Sequence, residues 1–365
     1  MKGLRLLFLA FCLIVCWEFG LANPSGNRIE EEPVEYCTTF EEKPGRIIHV
    51  TKCAYMMDIV AKIKAKRQLT PREQNITLYS RRENFKKAVC CEDLVNDSGL
   101  ELLKQSEQEC GDYSQDLVSN GIEVEMGTRP WMALLEYDDP MFRFQCGATL
   151  ITPRYILTAA HCINDDMISV RLGEHRISSD KDCRAFGSQV LCMPSPQDIG
   201  IEKTIVHANF NKEKIIYDIA LIRLERPAEI TRNVKTICLP LYEDVQGSIL
   251  GRSVQLVTGW GIYNNRDYSD VPIEAPISRL HPSECRTGRH VVLLENQLCF
   301  NSSGKDSCRG DSGGPLSFPY IYKGLQRFVQ MGIVSYGPQE CGSEGTAVYT
   351  DVMWFLPWIT QNIES

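Results

Sequence analysis

Positive charge is scarce in this chain: 39 Lys and Arg stand against 47 Asp and Glu, a formal charge of −8 at neutral pH. Phosphate binding wants a basic face, and no Lys/Arg block stands out beyond short clusters such as "KIKAKR" at 62–67. This argues against nucleic acid as a partner, and the cluster reads as a solvated helix face. Long apolar runs are equally rare. Past the N-terminus no stretch approaches the ~20 apolar residues that span a bilayer, so no membrane segment is expected there. The C-x-x-C and His pairs of a zinc site are missing, and no internal repeat is evident.

What is present begins with "MKGLRLLFLAFCLIVCWEFGLA": two basic residues, an apolar run from Leu6 to Trp17, and small residues at Gly20 and Ala22. Residues 1–22 read as a secretory signal peptide cut near Ala22, which predicts a soluble, secreted, extracellular product. Of 16 cysteines, Cys12 and Cys16 leave with it. The 14 that remain, an even number in an oxidising compartment, imply up to seven disulfides in preference to free thiols or zinc.

Residues 23–36 are acidic and carry Pro, Gly and Asn, the texture of a short flexible lead-in. From Cys37 to Cys91 runs a small cysteine-bounded unit. After Cys53, Met56, Ile59, Val60 and Ile63 recur at helical spacing, predicting a helix that ends before "LTPRE". The unit closes on the adjacent pair Cys90 and Cys91, and its size leaves little core without disulfides. Residues 92–109 read as a polar, acidic linker with one helical turn at Leu100 to Lys104. From Val118 the texture changes to short β-rich runs between Gly, Pro and Asn turns: "RPWMALLEY", "FQCGATLI", "YILTAA", "SVQLVTGW" and "FVQMGIVSYG". They predict an all-β barrel or sandwich, with "DVMWFLPWITQNI" its one strong helical segment.

Three strings in this large region supply a His, an Asp and a Ser: "LTAAHC" ending at Cys162, "YDIALIRL" from Tyr217 and "KDSCRGDSGGPL" from Lys305. Acyl-bond hydrolysis at neutral pH needs a hydroxyl made nucleophilic by a neighbouring base. It also needs a buried carboxylate that fixes the base's tautomer and stabilises its cation. His161, Asp218 and Ser312 can fill those roles. A Gly-rich turn can aim backbone N–H groups at one point, so Gly310 and Ser312 can form an oxyanion hole. Singly each string is weak, since a His beside Cys162 is more often structural and "DIAL" is an ordinary buried strand. All three in this order are not coincidence.

With "VTGWG", "IVSYG" and "AVYTDV" also in place, residues 118–365 resemble the chymotrypsin-like S1 serine proteases. The resemblance implies a mainly β fold of two antiparallel barrels, with the site between them and a C-terminal helix. It implies the disulfides Cys146–Cys162, Cys285–Cys299 and Cys308–Cys341, with Cys183–Cys192 as an added staple. Asp306 matches the pocket-floor carboxylate that selects Arg or Lys in trypsin-like members, and Ser335 and Gly337 match other substrate-binding positions. Ala347 stands where trypsins usually carry Gly, and its methyl narrows the pocket.

Members of the family are made as zymogens, which makes 92–117 a linker and activation segment. A cut between Leu117 and Val118 frees an α-amino group to pair with Asp311, and Cys110–Cys238 then joins the two chains. Leu117 stands where relatives carry Arg or Lys, so the implied upstream activating protease has a non-tryptic preference. The implied substrate is a protein, a downstream protease zymogen, and a serpin-type inhibitor is the implied regulator.

The unit 37–91 resembles the clip domain of arthropod secreted proteases, with four of the usual six cysteines. The missing two would have bonded to each other, which leaves Cys37–Cys90 and Cys53–Cys91. The whole chain is then similar to insect clip proteases, which act in haemolymph cascades leading to Toll signalling or melanisation. A passive spacer is the alternative for the small unit, and a non-catalytic scaffold is the alternative for the protein. Sequons at Asn75, Asn96 and Asn301 predict exposed, glycosylated positions. Glu174 opens the loop that binds calcium in some relatives, but Asp180, Asp182 and Asp198 are loosely placed around it. A solvated acidic loop is expected in preference to a calcium site, and no other metal or cofactor.

Overall fold

Runs of β-branched and aromatic residues, each a few residues long, close into two barrels. The computed structural model describes residues 28–30, 36–39, 44–50, 53–80, 88–92, 96–106, 109–112, 123–187, 189–250, 252–263, 267–285, 293–301, 309–338 and 345–365. The first barrel orders its antiparallel strands as Gln197–Val206, Ala220–Leu224, Tyr155–Thr158, Phe144–Thr152, Met132–Tyr137 and Met167–Leu172, the last returning to pair with 197–200. The second runs Val254–Gly259, Ile273–Arg279, Gln297–Asn301, Thr346–Asp351, Leu325–Tyr336 and Pro315–Tyr322, which closes on the first of these. Closure pairs the end strands of each sheet with each other, and inward side chains fill each lumen. Leu135, Leu150, Ile156 and Leu157 pack the first, and Phe300, Leu316, Phe318 and Tyr349 the second. Trp131, just ahead of Met132–Tyr137, meets Phe328 of the second barrel with ring centroids 5.3 Å apart, and both belong to the first core. The C-terminal helix Leu356–Asn362 buries Leu356, Trp358 and Ile359 against the first core.

The small unit is a sheet of Tyr36–Thr38, Pro44–His49 and Ala88–Glu92 beside helices Ala54–Lys64 and Pro71–Ser80. Its core is Cys53, Met56, Ile59, Val89 and Cys91, while Ile63 of the predicted apolar stripe stays exposed. Cys37–Cys90 and Cys53–Cys91 staple the strands and the first helix. Lys64, Lys66 and Arg67 are exposed at that helix's C-terminal end.

Four expectations change. The lead-in carries a strand, Arg28–Glu30, parallel to Thr204–Val206. The long strand Gln197–Val206 pairs with Met167–Leu172 only through its first four residues, so its last three offer an edge to the added strand. The single helical turn expected within the linker is a longer helix that docks on the large region. It spans Asp97–Gln105, capped by Asn96 Oδ1 accepting from Gly99 N at 3.0 Å; Asn96 N donates to Thr360 Oγ1 at 2.9 Å, and Leu103 enters the first core. "LTPRE" closes one helix and opens another: Pro71 is the first helical residue, Thr70 N donates to Glu73 Oε2 at 2.8 Å, and Glu73 N donates to Thr70 Oγ1 at 3.2 Å. Finally, Glu243–Leu250 adds a second helix to the large region, with Val245 in the second core.

Candidate active site

The site lies where the barrels face each other. A strand packed on both sides, Tyr155–Thr158, ends in the short turn Ala160–Cys162 that presents His161. Asp218 stands two residues before Ala220–Leu224, and its side chain is fully buried. A carboxylate can only accept, and this one takes three donors: His161 N at 2.9 Å on Oδ1, His161 Nδ1 at 2.8 Å and Ser335 Oγ at 2.6 Å on Oδ2. The Nδ1 contact fixes the proton on that nitrogen and leaves Nε2 with a lone pair, the form of a general base. Thr350 Oγ1 donates to the Asp218 carbonyl at 2.8 Å and ties the pair to the second barrel. Burial works against a charged His161, but the charge and hydrogen bond of Asp218 outweigh it and hold the imidazole above the ordinary histidine range.

Ser312 comes from the second barrel, on the turn that leads into Pro315–Tyr322. Its carbonyl accepts from Gly147 N at 2.8 Å. Gly147 follows Cys146, which is bonded to Cys162, the neighbour of His161. One strand of the first barrel, Phe144–Thr152, thus holds both the Ser312 turn and the His161 turn. Gly310 sits at φ 101° with Tyr268 Cε1 2.7 Å from where a Cβ would stand, so only glycine lets this backbone turn as it does. Asp311 is buried, and its Oδ1 accepts from Gly261 N at 2.8 Å. Cys146 and Cys162 flank His161, but their sulfurs are spent on each other and offer no thiolate to a metal.

Of the residues expected to line a substrate pocket, Ser335 is buried and directed at Asp218, and Gly337 is exposed just beyond it. Ala347 is buried in the second core and pairs with Phe300 across the sheet. Asp306, Leu117, Val118, the expected Cys308–Cys341 pair and the expected signal cleavage site lie outside the described residues. The structure holds the disulfides Cys110–Cys238, Cys183–Cys192 and Cys285–Cys299. Asn75, Asn96 and Asn301 are all exposed. At the acidic loop, Arg171 forks onto both Asp198 oxygens at 2.7 Å and reaches Glu174 Oε2 at 3.1 Å. Asp182 Oδ2 accepts from His175 N at 3.1 Å and Arg176 N at 3.2 Å, while Asp180 is exposed. Protein cations and amides thus serve Glu174, Asp182 and Asp198. Sequence reasoning missed Thr350, whose role is visible only once the barrels meet.

Comparison with known proteins agrees with this architecture. The trypsin family profile matches residues 118–359. The chain belongs to the trypsin family of serine proteases. Serine protease grass of Drosophila melanogaster is 34% identical over 364 residues, covering 95% of this chain and 97% of that one. Phenoloxidase-activating factor 3 of Holotrichia diomphalia is 36% identical, covering 90% and 94%. The crystal structure of the Drosophila Grass clip serine protease of the Toll pathway superposes with a TM-score of 0.70 at 35% identity, over 89% of this trypsin-family chain and 96% of that one.

Proposed function

We propose that the protein is a secreted serine endopeptidase zymogen that cleaves protein substrates after Arg or Lys in an extracellular immune cascade. The observation that carries the reading is the His161–Asp218 pair, built with Nε2 left as acceptor, beside the turn that bears Ser312. In this mechanism Ser312 Oγ attacks the scissile carbonyl while His161 Nε2 takes its proton. The oxyanion forms against the N–H groups of Gly310 and Ser312, and Asp218 stabilises the imidazolium. His161 returns the proton to the leaving amine, and water then cleaves the acyl-Ser312 ester by the same steps in reverse roles. Asp306 supplies the charge that selects a basic residue, and Ala347 trims the pocket beside it.

Activation needs the cut at Leu117–Val118, after which the new amine pairs with Asp311 and orders the oxyanion turn. With Leu at the cut, the activator is an enzyme of chymotrypsin-like or elastase-like preference, and a serpin-type inhibitor would suit the active form. Residues 37–91 serve as a clip-like docking unit. The cascade assignment is supported by the relatives named for the Toll pathway and for phenoloxidase activation. Leu117, Ala347 and the two absent clip cysteines favour a second reading, a weakly active scaffold that regulates such a cascade. Ser312→Ala decides between them: a protease loses its biological effect with the hydroxyl, and a scaffold keeps it.

A further inference from the structure

The buried ion pair of Arg129 and Glu274 takes no part in the chemistry above. Arg129 Nε and Nη2 each meet one Glu274 carboxylate oxygen at 2.7 Å, and the two side chains are 5% and 4% exposed. Arg129 Nη1 donates to the Thr128 carbonyl at 2.9 Å, and the guanidinium lies 4.2 Å from the Phe328 ring centroid. Thr258 Oγ1 donates to Glu274 Oε2 at 2.9 Å. Taking two charges out of water cancels much of what their attraction returns, so such a pair is better suited to fixing a register than to adding stability.

Both sides of the pair lead to the activation machinery. On the Arg129 side, the chain running back toward Val118 is laid on the second barrel: Glu123 bridges Ile273, and Val124 N donates to the Pro272 carbonyl at 2.8 Å. On the Glu274 side, Thr258 is its direct cross-strand partner, and the next residue, Gly259, approaches Asp311 so closely that an added Cβ would stand 2.1 Å from Oδ1. The residues from 118 to 124 can reach about 20 Å when extended. Their free end finds one carboxylate reliably only if their anchor cannot slide.

We infer that Arg129 and Glu274 are positioning residues for activation. They lock residues 123–129 onto strands Val254–Gly259 and Ile273–Arg279, so that the amine freed at Val118 is delivered to Asp311. This rests on the zymogen reading. A bidentate fork permits one register where apolar side chains of the same volume permit several.

The test compares wild type, Arg129→Lys, and the double variant Arg129→Met with Glu274→Met, each cut in front of Val118 by chymotrypsin. Where chymotrypsin does not cut, Leu117→Arg in every background lets trypsin make the same end. The first readout is the rate at which cyanate carbamylates the Val118 amine, followed by mass spectrometry. The second is kcat on an Arg-ending peptide with its alkaline pH limb. In wild type the amine should be protected. In the double variant it should react about 10-fold faster at an unchanged melting temperature, with kcat down about 10-fold or more and the alkaline limb moved to lower pH. Arg129→Lys, which keeps the charge but loses the fork, should move the same way by about 3-fold. The inference is overturned by a wild-type amine as reactive as a free peptide, or by variants as protected and as active as wild type. A protected wild-type amine without peptidase activity would sink the protease reading, and the cyanate rates alone would then decide this one.

Discussion

Ser335 Oγ donates to Asp218 Oδ2 at 2.6 Å, joining the second barrel's longest strand to the carboxylate that orients His161 from the first. A hydrogen bond to a buried charge contributes about 1.5–3 kcal/mol. Ser335→Ala should therefore lower kcat/KM by about 10-fold or more while leaving the fold intact by circular dichroism. An unchanged kcat/KM would mean that this contact only fills space.

The acidic limb of activity should report His161. Its charged form is favoured by Asp218, so its titration lies above the ordinary histidine value. Activity needs neutral Nε2, and it should fall as pH drops through that raised value. Asp218→Asn should remove the upward shift and cut kcat about 10⁴-fold, since an amide no longer enforces the Nδ1–H tautomer. A pH–rate profile of the cleaved protein, wild type against variant, checks both.

Two buried groups outside the His161–Asp218 pair should tilt stability in opposite directions. His207 is enclosed by Tyr217, Phe355 and Trp358, and burial pushes it down to about 3. The unfolded chain takes up a proton that the folded one refuses, so stability is lost as pH falls below the ordinary histidine value toward 3. His207→Leu should flatten that acid slope in melting temperature. Asp351 is raised to about 6 by burial while its Oδ1 accepts from Met353 N at 2.9 Å. Its contribution is present at acid pH and lost as pH rises through 6. Asp351→Asn, which keeps the accepting oxygen, should gain stability over wild type at pH about 8 and lose that advantage near pH 4.

The pro-part should stay bound after cleavage even without its disulfide. Cys110 is bonded to Cys238, but Asp112 also pairs with Lys235 at 2.6 Å and Arg327 at 3.0 Å, Gly111 N donates to the Thr236 carbonyl at 2.8 Å, and Leu103 is buried in the first core. Gentle reduction of the cut protein should leave one peak on size exclusion. Adding Asp112→Ala and Leu103→Ala, the latter costing about 2–5 kcal/mol, should split it into two.

Much of this was legible from residues alone. "TAAHC", "DIAL" and "GDSGGPL" carry functional side chains and, in their glycines, turn geometry, so the pairing of His161 with Asp218 and the tight turn at Gly310 are legible in the sequence. The β-rich runs declared themselves because each barrel strand has its own apolar pattern. The capping box Thr70–Glu73 is also written in the sequence, inside "LTPRE", whose Pro reads equally as a stop. The docked helix Asp97–Gln105 was not readable to its full extent. Its stability comes from Leu103 and Thr360, and the latter lies at the far end of the chain. The contacts of Thr350 and of the Arg129–Glu274 pair are hidden for the same reason: contacts between residues distant in the chain leave no local period.

The central claim is that Ser312 becomes a nucleophile when Val118 is freed. The direct measurement is to treat the protein, intact and cut at Leu117–Val118, with a fluorophosphonate and locate the adduct by peptide mass spectrometry. The account predicts stoichiometric labelling of Ser312 in the cut form, blocked by an Arg-ending substrate analogue, and little in the intact form. A cleanly cut protein whose Ser312 stays unlabelled would contradict it.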